Sequence, residues 1–500
     1  MELTLQGHSY QYAVEQIMLV LFPQERPTYP GAYDPACGNA CRSSLTKVEG
    51  CFVAETEISR GGLVVSGTAS APAPEKDNLL VYDRVLQRII KQSFYKAAVQ
   101  LLPKRPDWGA LTGIRPAKLA SKALEEGLSE EETAKRFREE YFVSPLRTAL
   151  AIESAQAGLA VKRSLKPEEL SLYVGIPFCP TRCAYCSFVS ADVKRALKLV
   201  EPFLAALDRE IDAVAALLRE AGAVIRSIYI GGGTPTTLTA PQLDRLLTHI
   251  RSAFDLSHLS EFTVEAGRPD TITAEKLAVL KAQGVDRVSV NPQSMRDEVL
   301  QAMGRSHTAQ DILTAYDLVR TSGLQAVNMD LIAGLPKDTP EGFRYTLDRV
   351  LALAPENITV HTLALKKGSR LMMEQQGLPS GAEVAQMLDY AWAALREAGY
   401  RPYYLYRQKY MSGALENIGW CRPGYEGLYN ICIMEELHTI VALGAGGSTK
   451  LTDPRTGKIL RITNPKYPYE YIERIDAICE EKRPLTAFQR SLTGQNEKGG

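Results

Sequence analysis

The sequence predicts an α/β fold built on a parallel sheet, and three observations predict it. Apolar, strand-like runs alternate regularly with amphipathic helical stretches through the middle of the chain. Glycines stand just past helical stretches, at Gly222, Gly284, Gly323 and Gly399, where helices commonly stop. Nearly every strand-like run ends in a glycine cluster or a polar residue, and parallel α/β folds build their sites at that end. Six β-α units in sequence give either a doubly wound sheet or a partial barrel.

Taken in order, residues 1–70 mix short β-like runs (3–5, 51–57 and 63–67) with a helix around 12–21. A proline-containing link, Ser70-Ala-Pro-Ala-Pro-Glu75, follows. Residues 79–163 read as mostly helical, but Asp107-Trp-Gly-Ala-Leu-Thr-Gly-Ile-Arg-Pro-Ala-Lys118 is too specific in texture for a plain linker. The six strand-like runs begin near Leu170, Val224, Glu261, Arg287, Ala326 and Asn357. Helical stretches at 197–221, 241–254, 274–283, 310–321, 341–353 and 384–398 lie between and after them. Past Tyr400 the pattern is mixed, with an aromatic run at 403–406, a glycine run at 444–447 and a frayed tail from 494. The expected division is an N-terminal α+β and helical domain at 1–165, a central α/β domain at 166–385 and a C-terminal region at 386–500 that covers substrate.

Composition bounds the function classes. A chain of 500 residues is too long for one ordinary core. A hydrophobic content of 45% with 23% charged residues is that of a soluble globular protein. The 58 basic and 58 acidic side chains cancel, so nothing in the charge balance recommends nucleic acid or an anionic membrane. The first residues lack the basic start and apolar core of a signal peptide, and no stretch has the roughly 18 uncharged apolar residues of a membrane span. Nine cysteines, three of them closely spaced, suit a reducing compartment, so the cytoplasm is expected.

Those three cysteines, Cys179, Cys183 and Cys186, follow the apolar run from Tyr173 with the spacing C-x3-C-x2-C. One short loop can aim three thiolates at one centre, and thiolates are the soft ligands of iron–sulfur clusters. Three ligands would leave one iron open, as a catalytic metal centre requires. The alternative is zinc, which ordinarily takes a fourth Cys or His nearby; His249 and Cys421 are the nearest later candidates and are far along the chain.

The run Gly231-Gly-Gly-Thr-Pro-Thr236 follows the second strand. Glycines there let a ligand approach the backbone and expose N–H groups to it, or they simply make a tight strand-to-helix turn. It has neither the G-x-G-x-x-G order of a dinucleotide fingerprint nor a following Walker lysine. Glu265, Gln293, Arg305 and Asp330 are polar residues at or near later strand ends. Each could be a satisfied structural group; as a set they suit a zwitterionic ligand carrying a ribose, with carboxylates accepting from hydroxyls or an ammonium and Arg305 forking onto a carboxylate.

With these motifs together, the chain resembles the radical S-adenosylmethionine enzymes. The narrower likeness, carried by Tyr173-x-x-Ile-Pro-Phe-Cys179 and Gly231-Gly-Gly-Thr-Pro-Thr236, is to the oxygen-independent coproporphyrinogen III oxidase group. Leu111-Thr-Gly-Ile-Arg-Pro116 is similar to its HemZ-type branch. The resemblance implies a partial (β/α)6 TIM-like barrel at 166–385 carrying a [4Fe–4S] cluster on Cys179, Cys183 and Cys186. It implies S-adenosylmethionine, in one or two molecules. Tyr173, Gly232 and Glu265 would contact the first, and Tyr185, Gly233, Thr234, Gln293, Arg305 and Asp330 would line the site of a second. The implied activity is that of an oxidoreductase of heme biosynthesis, converting coproporphyrinogen III to protoporphyrinogen IX without oxygen. Its implied partners are the porphyrinogen and a reductant for the cluster. A sister group that traffics heme carries a His-Asn pair followed by Tyr-Trp; the matching stretch here, Tyr429-Asn430-Ile-Cys-Ile-Met434, lacks the heme ligand. A third expectation is a radical methyltransferase acting on heme. Where well-studied oxidases have one more cysteine, this chain has Phe188.

The remaining candidates have plainer readings. Lys366, Lys367 and Arg370, beside His361, and Arg407 with Lys409 could pair with propionates or be ordinary surface charges. The run Tyr403–Tyr406 could stack on a tetrapyrrole, but such runs are more often core. Cys37 and Cys41 repeat the x3 spacing, with Cys51 ten residues on, as a second metal site or, with glycine and asparagine between them, a plain loop; Cys421, Cys432 and Cys479 read as buried thiols, and His8, His249, His258 and His438 have no ligand spacing.

Overall fold

A computed structural model describes the chain except residues 75–78, 187–190, 366–368, 370, 372–376, 409–411 and 495–500. It divides into two compact units, Met1–Ile152 and Glu153–Gly500.

In the first unit, strands β1 (Glu2–Gln6), β2 (Asn39–Val48), β3 (Cys51–Arg60) and β4 (Leu63–Pro72) form one sheet in sequence order. β1 pairs parallel with β2, and the rest are antiparallel. The helix Gln11–Leu21 buries Val14, Ile17, Met18 and Leu21, a one-sided helical stripe, in the same core as Leu86, Ile89, Ile90 and Phe94 of the helix Leu79–Ala98. The expected link at 70–75 is strand as far as Pro72. The segment from Asp107 is no linker either. Ala110 donates to the Tyr141 carbonyl at 2.8 Å, Ser144 to that of Asp107 at 2.8 Å, and Trp108 is buried.

In the second unit an eleven-stranded sheet dominates. Its centre is six parallel strands: β5 (Glu169–Ile176), β8 (Val224–Gly232), β9 (Glu261–Glu265), β10 (Arg287–Ser289), β11 (Ala326–Ala333) and β12 (Asn357–Thr362). They lie side by side in sequence order with a helix between successive strands, the β/α order expected of a partial (β/α)6 barrel. Between β5 and β8 a minimal parallel pair, β6 (Phe178–Cys179) and β7 (Ala191–Asp192), closes the base of the cysteine loop. The helices start where side chains cap them: Thr239 with Gln242, Thr308 with Asp311 and Ser380 with Glu383 form capping boxes. The ladder does not close on itself among the described residues. The C-terminal region extends it at both ends instead. β13 (Arg401–Tyr406) and β14 (Asn417–Cys421) pair antiparallel beyond β12. β15 (Thr439–Gly444) runs parallel beside β5, and β16 (Ser448–Thr452) and β17 (Ile459–Thr463) pair antiparallel beyond it. Among the described residues no helix is long and apolar enough to cross a membrane.

Strand alternation sorts the central sheet into two unlike faces. One carries Leu170, Leu172, Val174, Ile228, Ile230, Phe262, Val264, Val288, Val327, Met329, Ile358 and Val360, all buried. The other, matched across the ladder by register, carries Ser171, Tyr173, Gly175, Ser227, Tyr229, Gly231, Thr263, Glu265, Ser289, Asn328, Asp330, Thr359 and His361. A parallel sheet packed by helices on both faces would be apolar on both. The polar face is therefore the one that can line a site.

Candidate functional site

Beyond β5 the chain continues as an arm bearing the cysteines. Its base is fixed: Ala191 donates to the Pro177 carbonyl at 2.8 Å and Val193 to that of Cys179 at 2.9 Å. Cys186 N–H turns back onto the Cys183 carbonyl at 3.1 Å, and no helix or strand occupies 180–186. All three cysteines are half-buried and outside any disulfide. The Cys179 Sγ lies 3.5 Å from the Thr234 hydroxyl, and the Cys183 Sγ 4.0 Å from the Arg268 guanidinium. Among the described residues no three His, Cys, Asp or Glu side chains are gathered as a ready-made metal cage. The loop carries the thiols together without converging them, and a metal site commonly takes its shape from the group it binds. Phe188 lies outside the described residues.

The glycine loop is stitched to this arm. Gly233 N–H donates to the Ile176 carbonyl and Thr234 N–H to the Phe178 carbonyl, each at 2.7 Å. Of the two readings of this loop, ligand-facing N–H groups or a tight strand-to-helix turn, these two N–H groups fit the second, being spent on the arm. The glycines are required by contact. A Cβ on Gly233 would stand 2.4 Å from the Phe178 carbonyl oxygen, and one on Gly231 3.0 Å from the Glu265 carboxylate.

Tyr173, Gly232 and Glu265 come together on the polar face. The Tyr173 hydroxyl is 3.4 Å from where a Gly232 Cβ would be, and Tyr229 donates to Glu265 at 2.5 Å. Burial raises Glu265, the nearby Asp330 charge adds to it, and the Tyr229 and Gly232 hydrogen bonds only partly oppose them; the carboxyl is raised to about 7. Burial likewise pushes Asp330 up, but the His361 ring, Asn328 and Thr359 outweigh it and leave that carboxyl below its ordinary range. Asn328 donates to Asp330 at 2.7 Å, and His361 Nε2 stands 3.8 Å from it. Two neighbouring carboxyls thus differ in proton affinity, which is how a site keeps one neutral and one charged near pH 7.

Gln293, Arg305, Tyr185 and Asp330 form the adjoining part. Gln293 N–H donates to the Asp330 carbonyl at 2.9 Å, and Gln293 adopts φ 65°, a left-handed conformation rare outside glycine and common at functional sites. Its Oε1 is buried without a partner, and so is the Arg305 Nε. Arg305 donates to Tyr185 Oη at 3.1 Å and to the Asn291 carbonyl at 2.7 Å. Unsatisfied buried polar atoms beside soft thiols are what a polar ligand next to a metal cluster would complete. The residues present fit both groups.

The propionate candidates fare differently. Arg407 is buried and donates to the Ala414 carbonyl from Nη2 at 2.6 Å. Lys366, Lys367, Arg370 and Lys409 lie outside the described residues. Tyr403 and Tyr404 are core residues, packed edge to face at 4.8 Å. Sequence reasoning missed several residues of the site. Tyr229 and Tyr429 stack on each other at 4.5 Å, and the Tyr173 ring lies 6.3 and 6.2 Å from them. Tyr229 was findable, being two residues before Gly231 and so on the same face. Arg268 and Asn291 lie in loops after β9 and β10, where no periodicity marks them.

Comparison with known proteins completes the description. The radical SAM superfamily model matches residues 173–350. The chain is 44% identical, over 380 residues, to the oxygen-independent coproporphyrinogen-III oxidase-like protein HemZ of Bacillus subtilis, covering 75% of this chain and 76% of that one. It is 30% identical over 320 residues to the heme chaperone HemW of Haemophilus influenzae, covering 63% and 78%. Among solved structures, coproporphyrinogen III oxidase HemN of Escherichia coli, a radical SAM enzyme, matches with TM-score 0.51 and 27% identity, over 65% of this chain and 72% of that one.

Proposed function

This chain belongs to the coproporphyrinogen-oxidase-like group of the radical SAM superfamily, and from that membership we propose that it oxidises a porphyrinogen, converting coproporphyrinogen III to protoporphyrinogen IX without oxygen. The superfamily works with a [4Fe–4S] cluster and S-adenosylmethionine, which together supply one-electron removal of hydrogen from an unactivated C–H bond. Cys179, Cys183 and Cys186 would hold the cluster. Tyr173, Gly232 and Glu265 would contact the adjacent S-adenosylmethionine, and Glu265 would ionise against a positively charged ligand. Tyr185, Gly233, Thr234, Gln293, Arg305 and Asp330 would line a second molecule's site, Gln293 Oε1 and Arg305 Nε gaining the partners they lack. For each of two propionates the balance is one hydrogen atom lost from the β-carbon, then CO2 and one further electron, leaving a vinyl group. A reductant for the cluster and an electron acceptor complete it.

The observation that carries this reading is the polar face of the parallel sheet ending beneath the cysteine arm. It puts acceptor groups, tyrosines and soft thiols at one mouth. The likeness to heme chaperones favours a second reading, heme trafficking. Tyr429 weighs against it. It stands where the heme-trafficking group carries the histidine of its His-Asn pair, and it is buried and stacked on Tyr229. Anaerobic assay of reconstituted protein for 5′-deoxyadenosine and protoporphyrinogen IX tests the proposal. Both products are expected; cofactor cleavage with coproporphyrinogen untouched rules this substrate out.

A further inference from the structure

The cysteine arm is gripped by a charge network through Arg268, Asp270 and His307, none of which the sequence motifs singled out. Arg268 follows β9 and is 3% exposed. Its Nε and Nη2 fork onto Asp270 at 3.1 and 3.3 Å, which fixes the guanidinium plane. The remaining nitrogen, Nη1, reaches the arm: 3.0 Å to the Thr181 hydroxyl, 3.4 Å to the Thr181 carbonyl and 4.0 Å to the Cys183 Sγ. Asp270 also stands 3.8 Å from His307 Nδ1, whose Nε2 lies 3.5 Å from Arg305 Nη1. Arg305 in turn donates to Tyr185, between the second and third cysteines.

Two buried guanidiniums thus stand with one carboxylate, Asp270, which is paired to Arg268; Arg305 is separated from it by His307 and donates to the Tyr185 hydroxyl and the Asn291 carbonyl. A buried cation without a counter-ion is costly, so the surplus positive charge calls for an anion. The group within reach of Arg268, and also of Arg305, is the Cys183 sulfur, an anion once it ligates a metal.

We infer that Arg268 is a positioning residue for the cluster: it fixes the arm at Thr181 and Cys183, and its charge favours the reduced form of whatever cluster Cys183 ligates. Hydrogen bonds and positive charge at ligating sulfurs raise a cluster's reduction potential, because the added electron is stabilised. The inference rests on Cys183 as a ligand and not on which porphyrinogen is the substrate.

The test compares full-length wild type, Arg268→Gln and Arg268→Lys, reconstituted anaerobically, by EPR-monitored redox titration with iron and sulfide content. At a fixed potential, R268Q should shift the reduced-to-oxidised ratio about tenfold toward oxidised, about 59 mV for one electron. R268K keeps the charge and should stay near wild type. If R268Q folds, by circular dichroism, but takes up no cluster while R268K does, the positioning role is upheld. Wild-type potential and iron content in R268Q overturn the inference, and so does R268K behaving as poorly as R268Q. Cys183→Ser, run in parallel, separates the two readings: if it keeps the full cluster, the ligand assignment itself has failed.

Discussion

Glu265 shows how much a residue's chemistry belongs to its neighbours. Nothing in the sequence around it raises a carboxyl; burial beside Asp330 does, to about 7. The folded state therefore favours protonated Glu265. That contribution to stability is fully present below about pH 4.5, the unfolded value, and is lost as pH rises through about 7. A shift of this size is worth about 3 kcal/mol. Urea unfolding of apoprotein at pH 5.5 and pH 8 should show wild type losing more stability than Glu265→Gln across that interval; equal losses contradict the assignment. Cys183→Ala should abolish the brown absorbance near ~400 nm of an iron–sulfur protein, and its retention would remove Cys183 from the ligand set. At this scale the triplet and Glu265 were legible because spacing and strand position mark them. Arg268 and Asn291 were not, because loop residues reach a site through tertiary contact and leave no period in the chain.

At the scale of elements, the six central strands begin where the apolar runs do, at Glu169, Val224, Glu261, Arg287, Ala326 and Asn357. Each run is short, buried and bounded by a polar or glycine cluster, so two signals agree. The C-terminal strands gave no such signal, since their place beside β5 and β12 is set by pairing partners far along the chain. The short helix Asp297–Ala302 also went unread, having too few turns to show a period. The glycine loop is the joint between elements. Gly233→Ala would press a methyl into the Phe178 carbonyl and displace the arm. The expected outcome is a folded protein whose reconstituted iron content falls at least severalfold. Full iron content in that variant would show that the arm tolerates the shift.

For the large unit as a whole, one buried cluster ties the C-terminal helices to the sheet. Lys482 and Glu210, both fully buried and 3.4 Å apart, share it with Asn464 and Tyr471, while Glu210 also accepts from Gly444 N–H at 2.8 Å. Removing one partner of a buried pair leaves the other unmatched, which costs about 3–5 kcal/mol. Lys482→Met should lose about that much in urea unfolding, and Glu210→Gln with Lys482→Met should recover part of it. The same unit sets the polar face of the sheet beneath the cysteine arm, and the function depends on that joint arrangement. The most direct measurement is an anaerobic incubation of reconstituted protein with coproporphyrinogen III, S-adenosylmethionine and a reductant, followed by chromatography. Protoporphyrinogen IX and 5′-deoxyadenosine rising together is the predicted result; intact coproporphyrinogen alongside cleaved cofactor, or stoichiometric heme binding with no turnover, would contradict it.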